Sequence, residues 1–341
     1  MKNKGLVVLT LLITCIYLPL FSVTVKGEEV SYSVQAIIPE NQVDDTKTYF
    51  DLKVNKNEKQ QLQTVIYNNE QEEITVRLSV NPATTNSNGL IVYDKTDELD
   101  PSLQIALPDI LQFDTKTVTV PAGQSKTVSA SLHTPKEQFN GVILGGLHFE
   151  KILKEDEKPE GVSIHNKYAY IIGVQLRQSN KKVAPKLNLV SVRPDLANHR
   201  TASIATIQNS EPVIVENLDI NIQVYEDGKN KVIHKHNQEQ IKMAPNSNMD
   251  IVIDWDNQPL KPGKYAVKAK ATHPSNTWEW EDTFTINKSE AKTLNQQAVE
   301  LDDDQVNKWL LLGTSVLVLV IISLLIYIRY LKYRIKIVKK S

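Results

Sequence analysis

The chain is predicted to be all-β, with two immunoglobulin-like β-sandwich domains in tandem between a signal peptide and one C-terminal transmembrane helix. Three observations predict this. A dozen short β-prone stretches run between residues 31 and 286, several alternating, separated by Asn, Pro, Gly and Asp clusters. Many short strands with frequent turn signals argue for a sandwich. No convincing amphipathic helix precedes about Glu290, and long apolar runs are confined to the two ends.

The N-terminal end reads as an export signal. Lys2 and Lys4 precede an apolar run from Leu6 to Phe21, and Val25 and Gly27 stand ahead of Glu28 and Glu29. A basic start, a short apolar stretch and small residues before the acids make residues 1–27 a secretory signal peptide cleaved after Gly27. Lipoprotein processing at Cys15 fits less well, because Thr14 is a poor preceding residue and the apolar run continues past it. Cys15 is the only cysteine, so the mature chain has neither disulfide nor thiol chemistry. That suits a bacterial surface protein better than a small animal ectodomain. A formal net charge of -1 over 341 residues leaves no basic field to draw nucleic acid. Roughly 275 residues remain between the two ends, enough for about two domains.

The first sandwich is placed at 31–152. Its strands are Ser31–Ile38, Leu62–Tyr67, Ile74–Val80, Val118–Val120 and Thr127–Leu132. The second is placed at 162–290, with Leu187–Val192, Ala202–Ile207, Leu218–Tyr225, Asp250–Trp255, Lys264–Ala271 and Trp278–Ile286. A faint internal repeat supports related layouts. TVIYNNE at 64–70 leads into ITVRLSV, and ATIQNSE at 205–211 leads into NLDINIQV. VPAGQS at 120–125 and MAPNSN at 243–248 each precede a strand.

VPAGQSKTV at 120–128 invites a nucleotide reading, which fails. A phosphate loop ends Gly-Lys-Ser/Thr between a strand and a helix. Here Lys126 follows Ser125, and the next residues, TVSASLHTP, alternate as a strand. Pro121 and Gly123 are turn residues. The charged stretch 152–162, ILKEDEKPEGV, reads either as a linker or as the loop of a hairpin. GVILGGLHF and YAYIIGVQL look like strand partners, which favours the hairpin. Strand 168–178 would then complete the first sandwich, with the boundary near 179–185.

The C-terminal end reads as a membrane anchor. Residues 291–308 form a helical or flexible stalk, 309–328 a transmembrane helix and 329–341 a basic tail. Leu310–Ile328 carries no charge over 19 residues. At ~1.5 Å per residue it spans roughly 28 Å, close to the ~30 Å hydrocarbon core. Trp309 and Tyr327 lie at its edges, Asp302, Asp303 and Asp304 precede it, and Arg329, Lys332, Arg334, Lys336, Lys339 and Lys340 follow. The positive-inside rule puts this tail in the cytoplasm and residues 28–308 outside, as a single-pass cell-membrane protein.

No catalytic constellation emerges, and neither enzyme activity, cofactor nor metal is expected. Of seven histidines only His234 and His236 lie close together, and no carboxylate spacing completes a zinc set around them. H-E-x-x-H, G-x-S-x-G and EF-hand patterns are missing. Carboxylate pairs such as Glu98 and Asp100 are expected by chance in a chain with 40 aspartates and glutamates. Binding is the better expectation. The polar loop Ala83–Leu107 holds Asn86, Asn88, Tyr93 and Asp94, and long loops on a rigid β scaffold often carry ligands; otherwise it is a decorated hairpin covering a sheet edge. Glu40, Asn41 and Gln42 form a second polar turn. Trp278 and Trp280 alternate on one strand and face one side, either as core or as a partner-binding hot spot. Trp255 is a candidate to join them.

Taken in order, SYSVQAIIPENQ, YFDLKV, TTNSNGLIVY, VPAGQSKTV, FNGVILGGLHF, NKYAYIIGVQL, MAPNSN, LKPGKY and WEW make a series. With both ends included, the chain resembles the WxL-interacting proteins of low-GC Gram-positive bacteria over nearly its whole length. The resemblance implies a peptidoglycan-binding first domain, about 31–152, and a host-ligand-binding second domain, about 162–300. It also implies a complex with WxL-domain surface proteins. It places YAYIIGVQL in the second domain, against the hairpin argument. The expected function is a membrane-anchored surface adaptor that binds peptidoglycan and holds WxL-domain proteins or host extracellular-matrix ligands. Glycan contact would fall to Asn86, Asn88, Tyr93 and Asp94, then Glu40, Asn41 and Gln42, and partner contact to Trp278 and Trp280. The alternative is an extracytoplasmic assembly chaperone acting by strand addition. Trp309-Leu310-Leu311 spells W-x-L, but at the membrane edge it is not the partner's motif.

Overall fold

The computed structural model describes residues 31–94, 99–153, 169–301 and 304–338. The expected signal peptide, Cys15, Glu98 and nearly all of the 152–162 stretch lie outside them.

The first core lies between two sheets. One runs β1 (Tyr32–Ile37), β3 (Lys59–Asn68), β9 (Ser125–His133), β7 (Leu111–Phe113). The other runs β2 (Phe50–Lys53), β11 (Ala169–Arg177), β10 (Ile143–Ile152), β4 (Ile74–Pro82), β8 (Thr117–Val120). Burial alternates along the strands, because successive side chains point to opposite faces. Leu62, Thr64 and Ile66 of β3 turn inward, as do Ile74, Val76 and Leu78 of β4. They meet Phe50, Leu147, Phe149 and Val174 in one apolar cluster. Each fully buried side chain of this size contributes about 1.5–3 kcal/mol.

GVILGGLHF and YAYIIGVQL do pair. β10 and β11 are antiparallel, with Gly146 opposite Gly173. β11 then pairs in parallel with β2. The strand after 168 therefore sits inside the first domain's sheet.

Between β4 and β7 stand a small hairpin, β5 (Thr84–Thr85) with β6 (Ile91–Val92), and a single turn, α1 (Leu107–Ile110). The second core lies between β12 (Leu187–Ala197), β13 (Arg200–Asn209), β16 (Ser247–Asp254) and a four-stranded sheet. That sheet runs β15 (Val232–Met243), β14 (Val215–Glu226), β17 (Gly263–His273), β18 (Asn276–Ile286). The expected strands fall on observed ones, whereas β2, β5, β6, β7 and β15 had no counterpart among them.

The internal repeat has a physical basis. Asn68 closes β3 and is 3% exposed; its Nδ2 donates to the carbonyls of Glu72, Val120 and Pro121 at 2.7, 3.0 and 3.0 Å. Asn209 closes β13 and is fully buried; its Nδ2 donates to Val213 and Ala244 at 2.8 and 2.9 Å. Each asparagine ties its strand end to the Pro turn that starts the partner strand. VPAGQSKTV is such a corner: Gly123 N–H donates to Glu70 O, and Asn68 N–H to Gln124 O.

The stretch expected to begin a stalk at 291 instead belongs to the second domain. α2 (Lys288–Gln297) buries Ala291 and packs Leu294 on the core. Asn295 both accepts from Leu260 N and donates to Leu260 O, at 2.8 and 2.9 Å. The reason is spacing: Ala291 and Leu294 lie three apart and share a helix face. α3 (Asp304–Val338) follows, and its stretch Leu312–Arg329 has a mean hydropathy of 2.3 with none of it buried against protein.

Candidate functional site

The 83–107 insert divides into two parts with different neighbours. Its tip reaches the second domain. Thr85 Oγ1 accepts from Ala244 N–H at 2.9 Å and shares a 2.7 Å hydrogen bond with Ser247 Oγ, which donates to Ala244 O at 2.9 Å. Only one arrangement satisfies all three, in which the Thr85 hydroxyl donates to Ser247. Both residues are buried. Beside them Lys242 N–H donates to Gly89 O at 2.8 Å, and Gln238 Nε2 to Ser87 O at 3.3 Å. The Asp100 carboxylate, 6% exposed, accepts Gln208 Nε2 on both oxygens at 2.9 Å. Val142 N–H closes the set on Pro212 O at 2.8 Å.

Glycine is required at this contact. Gly89 has φ +68°, and a Cβ there would stand 2.3 Å from Ile241 Cβ. Alongside the clasp lies an interdomain cleft of about 840 Å³, walled by Ser102, Lys136 and Phe139 on one side and Glu211, Pro212 and Asn246 on the other.

The base of the insert returns over the outer face of the five-stranded sheet. Asn81 Nδ2 holds Tyr93 O at 2.7 Å. The Tyr93 ring then lies across Gly146 and Gly173. A Cβ at Gly146 would come 3.2 Å from Tyr93 Cγ, and one at Gly173 would come 3.8 Å from both Tyr93 Oη and Tyr49 Cδ2. Burial and the neighbouring Tyr49 push the Tyr93 phenol above its ordinary pKa. In the next row His148 stands opposite Ile171 and Ser79. Burial lowers the His148 pKa, against a smaller opposite pull from Glu150 and Asp94.

The structure gathers some of the sequence's candidates and separates others. Gln42 holds Tyr49 O at 2.9 Å through Nε2 and accepts from Asp51 N–H at 3.0 Å. The Asn41 amide pairs reciprocally with Gln60 at 3.0 and 2.9 Å. Glu40 is exposed. The 40–42 turn thus holds Tyr49, whose ring shares the Gly173 position with Tyr93. Asn86 and Asn88 are elsewhere, at the hairpin tip, where Asn86 Oδ1 accepts from Asn88 and Leu90 N–H at 3.0 Å. Trp278 and Trp280 do share one side, half-buried against the second core. Trp255 is buried there too, stacked on His234 at 4.4 Å, with Nε1 donating to Ser203 Oγ. Sequence reasoning missed Tyr49, His148 and Ile171; the paired glycines of β10 and β11 were the signal for that face.

Residues 32–151 match the family model described as WxL Interacting Protein, peptidoglycan binding domain, and residues 159–296 match WxL Interacting Protein, host binding domain. The second match includes β11, which pairs within the first domain's sheet. No curated protein matches the chain. Among solved structures, the Salmonella enterica SafA pilin–SafB chaperone complex is 10% identical, covering 76% of this chain and 98% of that one, with a TM-score of 0.32. The E. coli chaperone DraB is 14% identical, covering 75% and 98%, with a TM-score of 0.28. At these scores the likeness carries no argument.

Proposed function

The chain belongs to the WxL-interacting protein family, and from that premise we propose that it is a membrane-anchored adaptor on a Gram-positive cell surface. The first domain holds peptidoglycan; the second holds a WxL-domain surface protein or a host matrix protein. One observation carries this reading: two domains matching a wall-binding and a host-binding family stand in one chain, clasped by hydrogen bonds at the buried residues Thr85 and Asp100. A clasped pair transmits the position of one ligand to the other, whereas a flexible linker would leave them independent.

Anchoring is supported by Leu312–Arg329, the stretch among the described residues apolar enough to cross a bilayer, and by the lysines and arginines after it. Residues 1–27 direct export. The protein acts by binding and not by catalysis. The test is co-sedimentation of the full-length chain, in detergent, with purified peptidoglycan sacculi, alongside capture of a WxL-domain protein. Pelleting with sacculi and no release of sugar or peptide fragments is expected. A folded chain that stays in the supernatant would overturn the wall-binding half, and fragment release would overturn the non-enzymatic half.

A further inference from the structure

A glycan needs a flat apolar surface for the C–H face of its rings and fixed polar groups at the edge for its hydroxyls and amides. The outer face of the five-stranded sheet supplies both. Gly146 and Gly173 are cross-strand partners without side chains, so the two tyrosine rings lie close to the backbone. Their main chains are held by side chains, Tyr93 O by Asn81 of β4 and Tyr49 O by Gln42 of the 40–42 turn. Rings held in place before a ligand arrives lose little freedom on binding. Ile171 stands 40% exposed beside them, and His148 and Asp94 lie at the margin.

We propose that this face, centred on Tyr49, Tyr93 and Ile171, is the peptidoglycan-binding surface of the first domain, and that it takes the uncharged N-acetylhexosamine backbone. The proposal rests on the wall-binding reading above. Charge favours the glycan over the ionised stem peptides. On the same face Asp51 is neutralised by Arg177 at 2.5 Å and Glu150 by Arg77 at 2.9 Å. The ring faces meet the sugar planes, and Ile171 offers an apolar contact to an acetyl methyl.

The test uses the full-length chain in detergent, with sacculi as the probe and a soluble β-1,4-linked N-acetylglucosamine tetramer as competitor. Tyr49→Ala, Tyr93→Ala and Ile171→Asp are compared with wild type. Because Ile171 is exposed, Ile171→Asp keeps the fold, and unchanged thermal melting verifies each variant. Each folded variant is expected to bind sacculi about tenfold or more weakly, the scale of one lost stacking or apolar contact, and the tetramer is expected to displace the wild type. If wild type binds and the folded variants bind equally well, the face is wrong while the wall-binding reading stands. If the variants weaken but the tetramer does not compete, the glycan assignment is overturned. If wild type does not bind sacculi, both fall.

Discussion

Gly89→Ala and Gly123→Ala make a matched pair that measures how firmly the two domains are clasped. Both glycines sit in the left-handed region, at φ +68° and +63°. A Cβ costs about 1–2 kcal/mol in that conformation, so the backbone penalty cancels between them. Their surroundings differ. Around Gly123 nothing lies within 4 Å of the new Cβ, whereas at Gly89 it would stand 2.3 Å from Ile241 Cβ and 2.4 Å from Cγ2. Ile241 is 4% exposed in the second core and cannot give way. The hairpin must lift, and the Lys242–Gly89 hydrogen bond and the Thr85–Ala244–Ser247 cycle go with it. Each buried polar group left unpaired costs about 1–3 kcal/mol, which brings Gly89→Ala to roughly 3–5 kcal/mol against about 1–2 for Gly123→Ala. For a protein of this size about 1 kcal/mol shifts Tm by roughly 2–4 °C. Differential scanning calorimetry should therefore show a small shift for Gly123→Ala. For Gly89→Ala it should show a shift two to three times larger, or a split into two transitions as the cores uncouple. Equal shifts would mean that the hairpin does not press on the second domain in solution, and the clasp argument would fail.

The remaining predictions address single side chains. Thr85→Val keeps the shape but strands the Ala244 N–H and removes the hydrogen bond that Ser247 Oγ accepts, and should cost about 1–3 kcal/mol in denaturant unfolding; no change would show that the Ala244 N–H finds water instead. Asn68→Ala and Asn209→Ala each free two or three carbonyls at a buried corner, and should destabilise by about 2–4 kcal/mol. A loss under half a kilocalorie at either would remove the structural reading of the repeat. Burial holds His234 below its ordinary pKa, with Asp256 and Asp254 opposing. The unfolded chain takes up that proton first, so the stability it protects is full above a pH of about 6.5 and is lost as pH falls toward the lower folded value. Wild-type Tm should thus drop more than that of His234→Phe between pH 7 and 5; equal drops would assign the acid sensitivity to other groups.

How far the site was legible follows from which signals are local. The paired glycines of GVILGGLHF and YAYIIGVQL announce strands that lie against each other, because only strands without side chains at matched positions leave such room. Which face those glycines clear depends on pleat register, and Gly145 and Gly146, adjacent in sequence, turn to opposite faces. Gly145 meets Asn81 O and Leu107 inside, while Gly146 meets Tyr93 outside. Asn86 and Tyr93 are seven residues apart on one polar loop, yet a small hairpin of two-residue strands sends one to the other domain and lays the other on the sheet. Loop composition carries no information about direction, so the four loop candidates read alike. Trp278 and Trp280 were placed on one side by their period of two, which is a local property of any strand.

By itself the sequence determined the β architecture, the two asparagine corners and the apolar C-terminal helix. Alternation, turn residues and hydropathy are written within windows of a few residues, and the energies they reflect are local or depend only on solvent. Tertiary structure alone decided that α2 docks on the second core and that the insert joins two domains. Each of these depends on contacts between residues far apart in the chain, where the gain comes from burying complementary surfaces that neither segment specifies alone.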